Sequence, residues 1–142
     1  LLDGAHNPSG ISRAVAELSL NPNIIAGNWV LLVGTSPQTD MEGAMGPLIQ
    51  LCKDTPPLAI VLSEPQGGRY PAVPVLELRK WFDVLDIATS THSLPNEAVA
   101  FVKHHYDQAT LVLSIGSLYL QGNILDGMGW ATEENLSFVA KH

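Results

Sequence analysis

The sequence predicts an α/β fold, an open and mostly parallel (mixed) Rossmann-like sheet with helices on both faces. Short apolar runs alternate with amphipathic segments, which is the pattern of strand and helix units in such sheets. Several runs are apolar throughout, as expected for strands that are covered on both faces. The 142 residues, 46% of them hydrophobic, suit one core, so residues 1–142 are predicted to form a single domain.

The chain opens at the end of a strand and then enters a helix. Leu1-Leu2 is predicted to be the strand end. Asn7 is a capping residue directly before Pro8, and proline suits the first position of a helix. Asn21-Pro22 is predicted to end this helix. Its apolar stripe consists of Ile11, Val15 and Leu18.

The middle of the chain predicts two strands with a helix between them. Residues 29–35 and 58–64 are continuous β-favouring runs. Asp40 is predicted to cap the helix between them, and Gly46-Pro47 is expected to kink or delay it. The apolar face of that helix consists of Met41, Met45, Leu48 and Cys52.

The last part of the chain predicts two further helices and two further strands. Residues 75–82 are predicted to form a short helix, and residues 84–90 a fourth strand. Ser93-Leu94-Pro95 opens the next helix, and residues 110–120 are predicted to be a fifth strand that runs into a Gly-Ser turn. The apolar face of the last helix consists of Val99, Val102 and Tyr106.

Charge and composition exclude several classes of function. The formal net charge of −7 and the lack of a basic run argue against a nucleic-acid surface. No apolar run reaches the length of a membrane span. Cys52, the only cysteine, is expected to be a buried thiol, and a single cysteine is consistent with a reducing compartment, which here means the cytoplasm.

Ligands of open α/β sheets bind at the carboxyl ends of the strands. Asp3 at such an end can accept hydrogen bonds from ribose hydroxyls, and His6 with the helix N-terminus behind it can face an anion. The alternative is structural, with Asp3 and Asn7 binding backbone amides of the turn and capping the helix. No third ligand lies near Asp3 and His6 in sequence, so no metal site is predicted.

Two motifs resemble a known family. LLDGAHNP at residues 1–8 and IGSLYLQG at residues 115–122 together resemble the carboxy-terminal domain of folylpolyglutamate synthase and dihydrofolate synthase, relatives of the Mur peptide ligases. The resemblance implies a Mur ligase C-terminal domain type of fold. It also implies that residues 1–142 are the carboxy-terminal domain of a longer two-domain ligase of folate biosynthesis and one-carbon metabolism.

The reaction that the resemblance implies uses ATP to phosphorylate a carboxylate of folate or dihydropteroate. The amino group of L-glutamate then attacks the acyl phosphate and forms an amide. The amino-terminal domain holds most of the ATP and Mg²⁺ site and supplies the catalytic residues, so this fragment alone is predicted to be inactive. By motif match, Asp3 binds the ATP ribose, His6 lies by the nucleotide or the incoming glutamate, and Ser117 lies near glutamate.

A second class of function stays open. No phosphate loop of the G-x-x-x-x-G-K-[ST] type is present in the 142 residues. The chain is therefore also compatible with a free-standing, non-catalytic α/β module that binds a nucleotide or a protein partner.

Overall fold

The computed structural model describes residues 2–3, 7–25, 27–68, 71–107 and 109–128. The strands are β1 (Leu2–Asp3), β2 (Trp29–Gly34), β3 (Ala59–Ser63), β4 (Thr89–His92) and β5 (Leu111–Gly116). The helices are α1 (Pro8–Leu20), α2 (Met41–Asp54), α3 (Val75–Phe82), α4 (Pro95–His105) and α5 (Leu118–Gly127), with a 3₁₀ turn at Pro22–Ile24. The predicted α/β class is confirmed.

The five strands form one sheet in the order β1-β5-β2-β3-β4. Every strand pair that the described residues form is parallel, including the pair between β1 and β5. β5 therefore inserts between β1 and β2, which are consecutive along the chain. This insertion brings residues from the two ends of the described chain side by side.

Helices cover the sheet on both faces, as predicted. The larger core lies between the sheet and α1, α2 and α3, and it includes Trp29, Leu31 and Val33 of β2. The smaller core lies between the opposite face and α4 and α5, and it includes Val30 and Leu32. Alternate residues of β2 thus enter different cores, which explains why this strand is apolar throughout.

Side-chain hydrogen bonds cap the N-termini of the first two long helices at the residues that the sequence predicts. The Asn7 Oδ1 accepts a hydrogen bond of 2.8 Å from the Gly10 amide at the start of α1. Asp40 Oδ1 accepts one of 2.9 Å from the Gly43 amide at the start of α2. Pro47 lies inside α2 without ending it.

The predicted fourth strand is misplaced. Residues 84–90 are predicted to lie in the sheet, but β4 spans Thr89–His92, so the carboxyl end of this strand follows His92. Leu85 and Ile87 pack against the larger core instead of pairing with a strand. The physical reason is that β4 is an edge strand of half-buried polar residues, which an apolar pattern does not reveal.

The predicted fifth strand is too long. Residues 110–120 divide into β5, which ends at Gly116, and α5, which begins at Leu118. The sequence pattern did not predict this last helix, because Leu118, Tyr119 and Leu120 continue the apolar run of the strand. Among the residues that the structure describes, no helix has the length and apolar character needed to cross a lipid bilayer.

Candidate functional site

The carboxyl ends of β1, β5 and β2 form the candidate site. The chain leaves β1 and β2 toward the helices of the larger core and leaves β5 toward α5 on the opposite face. Neighbouring strands whose connections diverge in this way open a crevice at their carboxyl ends, where ligands of open α/β sheets bind. β5 has such a crevice on each side. Asp3, Gly34 and Gly116 are the residues that end these three strands.

Gly34 and Gly116 are partners in the sheet. Gly116 has a φ of +134°, and a Cβ on it would overlap the Gly34 carbonyl oxygen. A Cβ on Gly34 would lie 2.6 Å from the Ser63 carbonyl oxygen of β3. Both positions therefore require glycine, and the edge of the sheet between β5 and β3 presents backbone rather than side chains.

Ser117 connects this edge to α5. Its amide donates a hydrogen bond of 3.0 Å to the Gly34 carbonyl oxygen, and its hydroxyl accepts one of 3.1 Å from the Tyr119 amide. The residue is 4% exposed. These bonds give Ser117 a structural role as the N-cap of α5. Its predicted place near glutamate stays a prediction.

The opening motif lies next to these residues. Asp3 ends β1, and its backbone is the register partner of Ile115, one residue before Gly116. Asn7 caps α1, as the structural interpretation of the motif predicts. His6 lies outside the described residues, so its predicted role by the nucleotide or glutamate stays a prediction, as does the predicted ribose contact of Asp3.

A loop that follows β3 is fastened across the same edge of the sheet. The Val73 amide donates a hydrogen bond of 2.9 Å to the Thr35 carbonyl oxygen just after β2. The Val75 amide, at the end of the loop and the start of α3, donates a hydrogen bond of 3.1 Å to Oε2 of Glu64, the residue that begins the loop. These hydrogen bonds join residues that share no motif, so no sequence pattern predicts them.

Three polar side chains beneath α4 and α5 have no hydrogen-bond partner among the described residues, and no motif in the sequence marks them. The hydroxyls of Ser63 and Ser114 and both amide atoms of Gln121 are buried without a hydrogen bond. Gln121 is 0% exposed and lies one turn after Ser117 on α5. One signal existed in the sequence, namely a glutamine within the otherwise largely apolar stretch LYLQGNIL. An unpaired buried amide is costly, so Gln121 is a further candidate residue beside the crevice.

Among the described residues, two groups have clearly shifted pKa values, and neither lies in the crevice around β5. Burial raises the pKa of the Cys52 thiol in α2 to about 12, which agrees with the predicted buried cysteine. Burial also lowers the pKa of His92 at the end of β4, and nearby His105 lowers it further, whereas Glu97 opposes the shift. Within the described part of the chain, no three His, Cys, Asp or Glu side chains form a group that could hold a metal ion.

Comparisons with known proteins show the fold. No protein-family model matches the chain, and no curated protein matches it either. A solved structure does match, that of a domain described as belonging to a UDP-N-acetylmuramate:L-alanyl-gamma-D-glutamyl-medo-diaminopimelate ligase from Haemophilus ducreyi. The two chains are 12% identical with a TM-score of 0.54, over 97% of this chain and 88% of the other. The chain therefore shares the fold of that ligase domain.

Proposed function

We propose that this chain is the closing domain of an ATP-dependent amide ligase that adds L-glutamate to folate, to dihydropteroate, or to both, through an acyl phosphate. The observation that carries the proposal is the adjacency of β1 and β5. These strands contain described residues of the motifs at residues 1–8 and 115–122, so Asp3 of the first motif and Gly116 of the second lie at one edge of the sheet. That edge borders the crevice in which ligands of open α/β sheets bind.

The proposed roles of these residues follow from their position at the edge of the sheet where β1 and β5 end. Asp3 accepts hydrogen bonds from the ATP ribose, His6 lies by the nucleotide or the incoming glutamate, and Ser117 lies near glutamate. Helices α1 and α5 both begin at this edge, and their first amides carry partial positive charge. In a chain of net charge −7, these amides supply local positive potential for anionic ligands.

The rest of the machinery belongs to an amino-terminal domain of the same chain in this proposal. That domain holds most of the ATP and the Mg²⁺, which neutralises charge on the transferring phosphoryl group. No residue of this chain is assigned to the metal or to the chemical step, so the fragment alone is inactive. The reaction belongs to the cytoplasm. The fold that the chain shares with the Haemophilus ligase domain supports a ligase more generally.

The direct test is the Asp3→Ala variant of the protein joined to its amino-terminal domain. We expect weaker use of ATP, by roughly 1 to 3 kcal/mol for the loss of one charged hydrogen bond. The readout is incorporation of labelled glutamate into folate and into dihydropteroate as ATP is varied. Asp83→Ala is the matched control, because Asp83 follows α3 and its exposed carboxylate pairs with Arg79. Unchanged ATP dependence in Asp3→Ala would remove Asp3 from the site.

Experiments on the isolated 142-residue chain distinguish a ligase domain from a free-standing module. A closing domain supplies one wall of the site, so we expect no glutamate incorporation and at most feeble ATP binding. Calorimetric titration with ATP and Mg²⁺ measures this. Tight, Mg²⁺-dependent ATP hydrolysis by this chain alone would contradict the closing-domain proposal and favour the module.

A further inference from the structure

The loop that joins β3 to α3 is attached beside the carboxyl end of β2 at both of its ends. It begins next to Gly34, because a Cβ on Gly34 would lie 3.2 Å from Pro65 Cδ. It returns at Val73, whose amide donates a hydrogen bond to the carbonyl oxygen of Thr35, the residue that follows β2. The loop therefore borders the crevice between β2 and its partner β5.

A third attachment joins this loop to α5, which covers the face of the sheet opposite α3. The Gln66 amide donates a hydrogen bond of 2.7 Å to Oδ1 of Asn123. Asn123 lies three residues after Leu120 and therefore on the same side of α5. Leu120 Cδ2 would lie 3.2 Å from a Cβ on Gly34. One side of α5 thus faces both the end of β2 and the start of the loop.

The bond between Gln66 and Asn123 is a tertiary contact. It joins residues 57 positions apart in the sequence, so it is neither a local turn nor a helix cap. The Gln66 side chain also holds the loop, because its Nε2 donates a hydrogen bond of 3.0 Å to the Glu64 carbonyl oxygen. The next residue, Gly67, has a φ of +86°, which glycine adopts without strain. The chain therefore turns directly after the residue that Asn123 holds.

We propose that Asn123 is a positioning residue of the glutamate site, an inference that rests on the proposed ligase function. β5 separates two crevices. Asp3, the proposed ATP ligand, lies on the β1 side of β5, whereas Gly34 and the loop lie on the β2 side. Ser117, proposed to lie near glutamate, bonds to Gly34 across this second side. The loop that Asn123 holds is therefore a wall beside glutamate and is separated from the ATP ribose by β5.

The first test measures hydrogen exchange of the Gln66 amide by NMR in the 142-residue chain. Asn123→Ala removes the acceptor and is expected to accelerate this exchange several-fold. Asn123→Asp keeps an acceptor oxygen and is expected to retain the protection. The Val73 amide is the internal reference, because its acceptor is the Thr35 carbonyl oxygen. Unchanged exchange at Gln66 in Asn123→Ala, or equal acceleration at Val73, would overturn the proposal.

The second test uses the protein joined to its amino-terminal domain and compares the KM values for glutamate and ATP. Asn123→Ala is expected to raise the KM for glutamate several-fold and to leave kcat and the KM for ATP unchanged, because the loop borders one ligand only. Gln50→Ala is the matched control, since the Gln50 side chain bonds Asp54 within α2. Equal rises in both KM values would indicate general damage to the sheet edge and overturn the positioning role.

The two tests distinguish failure of this inference from failure of the proposed function. An unmodified joined protein that incorporates no glutamate would refute the proposed function, and the glutamate role of Asn123 with it. If the unmodified protein ligates glutamate and Asn123→Ala matches it in both KM values, the ligase function stands and the positioning role is refuted.

Discussion

The position that a Cβ on Gly116 would take is already filled by the carbonyl oxygen of Gly34. The same oxygen accepts the hydrogen bond of the Ser117 amide. One backbone atom of β2 thus determines both the residue that ends β5 and the way in which the chain enters α5. This contact fixes the edge of the crevice between the two strands.

The Gly116→Ala variant is expected to be strongly destabilised. The new methyl group must displace β2, and alanine rarely adopts a φ of +134°. We expect a loss of about 2 to 4 kcal/mol in the free energy of unfolding, measured by urea denaturation. Gly122→Ala is the control within the neighbouring helix, where a Cβ meets nothing within 4 Å. It is expected to stabilise the protein by about 0.5 to 1 kcal/mol. Equal stability of the two variants would contradict the structure at Gly116.

The Gln121→Leu variant is expected to be more stable than the unmodified protein. Both amide atoms of Gln121 are buried without partners, and leucine has a similar size without that penalty. The gain should be about 1 to 3 kcal/mol in thermal or urea unfolding. Gln50→Leu is the matched control, because Gln50 lies on the exposed face of α2 and bonds Asp54 at 3.0 Å. A loss of stability in Gln121→Leu would show that the amide has a partner.

The pKa of His92 is expected to lie below its ordinary value of 6.5, with burial as the main cause. His105→Gln should raise this pKa and Glu97→Gln should lower it, because the two groups act on His92 with opposite sign. NMR titration of the imidazole protons measures all three values. A lowered pKa in the folded state means that His92 stabilises the fold above pH 6.5 and loses this contribution as pH falls through the lowered value. Shifts of the same sign in both variants would be inconsistent with the structure.

The Cys52 thiol is expected to resist alkylation in the folded protein. It is 1% exposed, and a pKa of about 12 leaves almost no thiolate near neutral pH. Because this pKa exceeds the ordinary value of 9.0, stability is unaffected below pH 9 and falls as pH rises toward 12. The slope is at most about 1.4 kcal/mol per pH unit. Cys52→Ala, which lacks the group, should not show this part of the alkaline loss, and rapid labelling of native protein would contradict burial.

The sequence predicted the elements that carry their own local signals. The caps at Asn7 and Asp40, the short helix over residues 75–82 and the apolar strands β2 and β3 all follow from patterns within a few residues. The errors arose where tertiary context decides. β4 is polar because it lies at the edge of the sheet, and α5 begins inside an apolar run because Gly116 turns the chain.

The candidate site was predictable to a similar extent. The carboxyl-edge rule placed Asp3 and Gly116-Ser117 at one edge, but strand order decides which turns are neighbours, and no local pattern encodes that order. The pairing of Gly34 with Gly116 and the burial of Gln121 depend on the insertion of β5 between β1 and β2. The sequence alone does not show the pairing, and for Gln121 it shows only a glutamine within a largely apolar stretch.

The insertion of β5 also sets an order of assembly. Among the described strands, β1 pairs with β5 alone, and Leu2 is the partner of Ser114, more than a hundred residues further along the chain. β2, β3 and β4 can join through short crossovers as soon as each is synthesised. β1 joins the sheet later, because its partner β5 is distant in sequence and pairing over so long a separation is slow. During synthesis, the side of β2 that later receives β5 stays an open edge, and the closing of that edge is the step at which β1 and its motif join the sheet.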